Sequence, residues 1–285
     1  MQFLSGVGAV APDYDGVILD LWGCVHDGLR AYPGALDAMA RLREAGKRIV
    51  LLSNAPRRVD AVIAQLRALG VPDAAYHGVM SSGEATWRRM ADTADPWHGA
   101  LGRRCLHVGP ERDRGMLDDA GLSVAADAGA ADFLLVTGPY GGDDTVEASD
   151  ALLDAAQARG LPLVCANPDR VVMRGERMEI CAGSIAERYA DRGGTVRWYG
   201  KPDPAIYEDC FALLGTRSRI LAVGDSLSTD IKGANAAGID SLLLTQGIHA
   251  GELAQPDGAP AMGRVAAAAE RIGAWPDYVA ATLRW

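Results

Sequence analysis

The sequence predicts a doubly wound α/β core, built on a parallel sheet and interrupted by an inserted α/β cap domain. Three observations carry that expectation. Short apolar runs, each bounded by turn residues, alternate with segments of helical pattern, which is the signature of βα units. Three of these runs end abruptly in polar residues. Between the second and third lies a stretch of about a hundred residues that repeats the βα pattern by itself, long enough for a domain of its own.

In chain order, residues 16–19 run into Asp20, and 48–52 run into Ser53 and Asn54. Runs at 105–108, 133–136 and 161–165 follow, with helical patterns near 111–120 and 143–159 between them. Residues 220–224 then lead into Asp225, and 241–244 supply a neighbouring strand. The expected division is a catalytic core from 1–92 and 197–285 with a cap at 93–196. In open parallel sheets ligands bind beyond the carboxyl ends of the strands, so the polar endings mark where chemistry belongs.

Composition narrows the function. The chain has 285 residues, of which 49% are hydrophobic, and a formal net charge of -9. That is enough apolar material for one large or two modest cores. The acidic balance disfavours nucleic acid and anionic membrane as partners, because phosphate-rich surfaces repel it at long range. Cys24, Cys105, Cys165, Cys181 and Cys210 contain no CxxC pair and read as reduced thiols. The first ten residues lack the basic start and apolar length of a signal peptide, and no run approaches a membrane span, so a soluble cytoplasmic protein is expected.

Four places could carry chemistry. Asp20 precedes a glycine-containing turn, Asp20 to Gly28, and read alone it is a turn or cap residue as readily as a nucleophile. Asp225 and Asp230 lie five apart at a strand end and helix start. Asp230 could cap the helix, or both acids could converge with Asp20 into an oxygen-rich magnesium site. Lys201, held between Gly200 and Pro202 before a helix near Ala205, is either solvated surface or a fixed ammonium that offsets phosphoryl charge. Ser53 and Asn54 offer a hydroxyl and an amide before the donors of a following helix, which is either a phosphate cradle or a helix cap.

Taken in order, Asp20, Ser53, Lys201, Asp225 and Asp230 resemble the four motifs of the haloacid dehalogenase superfamily over roughly residues 13–250. The insertion between the second and third motifs is similar to the α/β cap of the class IIA branch, which includes NagD-like and pyridoxal-phosphate phosphatases. Ser81-Ser82-Gly83-Glu84 and Asn167-Pro168-Asp169 add to the likeness. The resemblance implies a phosphatase acting on a small phosphorylated metabolite, such as a sugar, nucleotide or cofactor phosphate. Asp20 would form an aspartyl-phosphate. Asp20, the Trp22 carbonyl, Asp225 and Asp230 would hold Mg²⁺, and Ser53, Asn54 and Lys201 would hold the phosphoryl group. The cap would choose the leaving group, with Arg57, Asn167 and Asp169 as candidate substrate contacts, and caps of this kind allow a homodimer.

One position departs from the pattern. Phosphatases of the superfamily carry a second aspartate two residues after the nucleophile, where it acts as acid and base, and here that residue is Trp22. His26 and Asp27 are the nearest titratable substitutes, or else they form a structural turn with Gly28. A catalytically weak binding or regulatory protein is therefore the rival expectation, and a dehalogenase, which has an aromatic residue there, is another. The pair Asp225 and Asp230 argues for metal-assisted phosphoryl chemistry instead. Other signals are discounted. The run from Gly6 to Ala11 precedes its strand and so is not a dinucleotide turn. Gly183-Ser184 starts a helix, the remaining histidines show no ligand spacing, and Arg112 to Asp119 reads as a solvated helix face.

Overall fold

The computed structural model describes residues 1–92 and 94–285. Its strands are β1 (Gln2–Phe3), β2 (Gly16–Asp20), β3 (Arg48–Ser53), β4 (Gly78–Ser81), β5 (Arg104–Val108), β6 (Ser123–Val124), β7 (Phe133–Val136), β8 (Leu163–Cys165), β9 (Val171–Arg174), β10 (Arg177–Ile180), β11 (Val196–Trp198), β12 (Ile220–Gly224), β13 (Asp240–Leu244) and β14 (Tyr278–Ala280). Seven form one parallel sheet in the order β1-β14-β13-β12-β2-β3-β4. Five form a second parallel sheet, β11-β8-β7-β5-β6.

Every residue of β2 and β12 is buried, as expected where helices cover both faces of a parallel sheet. The side chains of β2 alternate across it. Val17 and Leu19 pack with Ala38, Met39 and Leu42 of helix Pro33–Glu44, whereas Ile18 packs with Ile206, Cys210 and Phe211 of helix Pro204–Leu214. From β2 the chain steps to β3 and β4 on one side, then returns through β12 and β13 on the other. The order therefore reverses between β2 and β12, and the crevice of an open α/β sheet lies at such a reversal. Asp20 and Asp225 leave their strands at that crevice.

The second sheet has its own apolar faces. Leu106, Leu134 and Val136 pack with Leu153, Ile185 and Tyr189, while Phe133, Leu135 and Val164 pack with Met116 and Leu117. Its strands coincide with the apolar runs at 105–108 and 133–136 and with the end of the run at 161–165. Its edge strand β11 extends to Trp198, two residues beyond the expected 196. The helical pattern at 111–120 resolves into a 3-10 turn, Glu111–Asp113, and a five-residue helix, Gly115–Asp119. The pattern at 143–159 becomes regular only from Asp150. An antiparallel hairpin, β9 with β10, was not anticipated. Its two-residue turn places Gly175 at φ +60, a left-handed conformation suited to glycine.

Candidate active site

Asp20, Lys201, Asp225 and Asp230 converge beyond the ends of β2 and β12, each between 3% and 7% exposed. Lys201 Nζ lies 2.5 Å from Asp20 Oδ1 and 2.6 Å from Asp230 Oδ1. Asp225 Oδ2 accepts a hydrogen bond from the Ile248 N–H at 2.8 Å. Asp230 does not sit at a helix N-cap. It lies within a π-helical turn, Leu227–Ile231, where its Oδ2 accepts from the Ser226 N–H. Glycine permits this crowding. A Cβ on Gly23, at φ +74, would come 1.9 Å from Asp225 Oδ2, and one on Gly224 would come 2.1 Å from Asp230 Cγ.

Three buried carboxylates face one ammonium, so the cluster carries excess negative charge. Burial, reinforced by Asp230, raises Asp20 to about 7 even though Lys201 opposes the shift. Burial likewise lifts Asp225 well above the usual range, with Asp20 and Asp230 adding to it. Burial works against the charge of Lys201, yet Asp20 and Asp230 hold its affinity for the proton above the ordinary lysine value. A divalent cation between the carboxylates would relieve this strain. Ligating atoms of Asp20, Cys24 and Asp225 lie within 4.8 Å of one another. Burial pushes the Cys24 thiol up, so it stays neutral, and the remaining oxygen donors suit a hard ion such as Mg²⁺.

Ser53 ends β3 beside β2, 1% exposed, and its Oγ accepts from the Ala55 N–H. No helix follows directly, since the next one begins at Val59. Asn54 differs from the expected phosphate contact. Its Oδ1 accepts from the Lys201 N–H at 2.8 Å, and its Nδ2 donates to the Lys201 carbonyl and, at 2.8 Å, to Asp169 Oδ1. The amide thus holds the lysine loop in place and ties it to the inserted segment, leaving no side-chain donor for phosphate.

The turn after β2 is structural at both titratable positions. His26 is 1% exposed, its Nδ1 accepts from the Gly28 N–H at 3.0 Å, and burial lowers it to about 4. It is a neutral, occupied ring, packed edge-on against Trp22 at 5.0 Å between centroids. Asp27 accepts from the N–H groups of Leu29 and Arg30. Slight burial opposes the shift, but these bonds and the Arg30 guanidinium hold Asp27 below the usual carboxylate range, so it has no proton to give near neutral pH. Trp22 lies against Gly28 and beneath the Arg174 guanidinium, 5.2 Å from its ring centroid.

Asp169 lines both the space around Asp20 and a second space between core and insertion. Burial raises it, against the pull of Lys201 and the Asn54 hydrogen bond. Asn167 is buried and orients this loop, its Oδ1 accepting from the Asp169 N–H. Arg57 reaches across to Asp113 of the insertion at 3.4 Å. The sequence reading missed Asp113, because Arg112-Asp113-Arg114 has the composition of a solvated face. In the fold Asp113 is 4% exposed.

The comparisons with known proteins point to one family. Families described as haloacid dehalogenase-like hydrolases match residues 17–123 and 74–238, and a HAD-hydrolase-like family matches 198–285. A D-glycerol 3-phosphate phosphatase from Mycobacterium tuberculosis is 30% identical over 85% of this chain, and the match spans 65% of that relative's length. A crystal structure of a haloacid dehalogenase-like hydrolase from Brucella suis has a TM-score of 0.83 at 34% identity, covering 98% of this chain and 99% of that one. A glycerol phosphate phosphatase from Mycobacterium tuberculosis, solved in complex with magnesium, has a TM-score of 0.65 at 28% identity, covering 84% and 70%. With an aspartate, a lysine and two further acids gathered at the reversal of a parallel sheet, and a second α/β unit inserted ahead of the lysine, the chain belongs to the haloacid dehalogenase-like hydrolases, in their NagD-like branch.

Proposed function

We propose that this phosphatase hydrolyses a small phosphorylated metabolite through a covalent phosphoryl group on Asp20. The observation that carries the reading is the contact of Lys201 with both Asp20 and Asp230 at a buried sheet end shared with Asp225. Asp20, Asp225 and the Trp22 carbonyl would hold Mg²⁺, with Asp230 bound directly or through water. When bound, the ion neutralises charge on the phosphoryl oxygens and on the attacking carboxylate. Asp20 attacks phosphorus and the ester oxygen departs with the bonding pair. Water then cleaves the acyl phosphate, returning the carboxylate and releasing phosphate. Lys201 keeps Asp20 oriented for the attack and opposes the rise in its proton affinity that burial causes. Ser53, at the neighbouring strand end, supplies a hydroxyl toward the phosphoryl oxygens. The magnesium-bound relative supports the metal assignment, and the named relatives support small phosphate esters as substrates.

A leaving alkoxide needs a proton that Trp22 cannot give. His26 is buried, and its Nδ1 is already accepting a hydrogen bond. Asp27 is held ionised. Asp169 is the half-buried carboxyl that borders both spaces and whose proton affinity is raised, and we assign the donation to it.

The test is phosphate release from a panel of small phosphate esters, with Mg²⁺ and after chelation, for the protein and for Asp20→Asn. Release that requires the metal and falls to background in the variant supports the reading. No release from any ester would favour a binding protein that keeps the pocket. Release by Asp20→Asn would remove the nucleophile.

A further inference from the structure

Asp113 presents an unusual carboxylate. It stands on the turn Glu111–Asp113 of the insertion, 4% exposed, and its Oδ1 is buried without a hydrogen-bond partner. Arg57 Nε, at 3.4 Å, supplies charge at ion-pair range without hydrogen-bond geometry. An unpaired buried polar atom costs free energy, more so when it is charged, and most such atoms in folded proteins have partners. Asp113 belongs to the wall of a cavity of about 240 Å³ between core and insertion, which it shares with Trp22 and Asp169. Those two residues also border the space around Asp20, so the cavity opens where an ester's leaving group would emerge.

The size and chemistry of the cavity define its occupant. It falls below the roughly 300–1,000 Å³ of pockets for drug-sized ligands, which suits a leaving group of only a few heavy atoms. A carboxylate oxygen accepts and never donates, so the complementary group is a hydroxyl or an ammonium. Resting on the phosphatase reading, we propose that Asp113 is a specificity residue that accepts a hydrogen bond from the leaving group. The substrates are then monophosphates of small polyols or amino alcohols. A site built around such a bond rejects an analogue without the donor, because Asp113 Oδ1 would again have only guanidinium charge beside it and no hydrogen bond.

The experiment compares kcat/KM for glycerol phosphate, ethanolamine phosphate and p-nitrophenyl phosphate in the wild type, Asp113→Leu and Asp113→Asn. The nitrophenyl ester has no donor on its leaving group and reports the intrinsic chemistry. Asp113→Leu should lower kcat/KM for the preferred donor-bearing ester by roughly 10- to 100-fold, the worth of a hydrogen bond to a charged group. The nitrophenyl ester should change by less than about twofold. Asp113→Asn keeps an acceptor without the charge. It should restore most activity on glycerol phosphate if the partner is a hydroxyl, and little on ethanolamine phosphate if the partner is an ammonium. Parallel loss on all three esters in both variants, or no loss on the donor-bearing esters, would overturn the proposal. If the wild type cleaves none of them, the phosphatase reading fails and takes the proposal with it. If it cleaves only the nitrophenyl ester, the reading survives and the proposal does not.

Discussion

Trp22 stands two residues after Asp20, where the family resemblance implies an acid, and its indole has no proton to give a leaving group. Asp169 reaches the same space from the insertion, held by the Asn54 amide at 2.8 Å. That contact allows proton donation to be separated from mere clasping. Asp169→Asn still offers an oxygen to Asn54 Nδ2, so the clasp persists while the transferable proton is lost. Turnover of alkyl phosphates should fall by about 10² to 10⁴-fold, the usual worth of general acid-base assistance. Aryl phosphates, whose leaving groups need little protonation, should lose far less. The pH profile gives an independent sign. Asp169 donates only when protonated, and burial raises it above the ordinary aspartate range. Alkyl ester turnover should therefore decline as pH rises through that raised value, and the decline should vanish in the variant. Preserved alkyl turnover in Asp169→Asn would return Asp169 to a structural role.

At the scale of elements, the parts legible in the sequence were those whose side chains are buried on both faces. β2, β3 and β12 read as apolar runs because helices cover each side, and their polar ends had nowhere to go but the crevice. The hairpin of β9 and β10 was not legible, since its residues are half-buried or exposed and pair only through tertiary context. Asn54 was misread for a related reason: its partners, Lys201 and Asp169, lie more than a hundred residues away. The turn after β2 was legible only as two alternatives, which burial of His26 decides. An unfolded histidine takes a proton below about 6.5, whereas the folded His26 does so only near 4. Between these values the unfolded chain binds more protons, so stability is lost as pH falls through that window, by at most on the order of 3 kcal/mol. His107, also lowered to about 4, adds in the same direction. In His26→Asn, which can still accept from the Gly28 N–H, chemical denaturation at pH 7, 5.5 and 4.5 should show a shallower loss than in the wild type. Identical slopes would mean that His26 does not titrate with folding.

Across the whole molecule, insertion and core meet through an apolar seam, where Trp87 and Met90 of helix Ser82–Ala91 pack with Met116 and Leu117, and through several polar contacts. The Gly175 N–H donates to the Asp27 carbonyl at 3.0 Å, Asn54 meets Asp169, Arg57 meets Asp113, and Arg58 bridges Glu84 and Asp119. Among the described residues no helix is long and apolar enough to cross a membrane. Two units each built on its own sheet move relative to one another unless a large apolar interface locks them, and closure is what excludes water and positions a leaving group. The hairpin tip is the contact most easily broken alone. Gly175 holds φ +60, and a Cβ there would come 2.8 Å from Leu29 Cδ1. Gly175→Val adds a β-branched side chain to a left-handed position, at about 1–3 kcal/mol of strain, and pushes the tip away from Asp27. The expected result is a hairpin that detaches while both sheets persist. Amide exchange across 171–180 should speed up, with β2, β3 and β12 unchanged. If closure gates catalysis, KM for a small alkyl phosphate should rise several-fold. Faster hairpin exchange with unchanged kinetics would show that the tip contact is not part of the closing motion, and unchanged exchange would show that the contact contributes nothing to holding the insertion down.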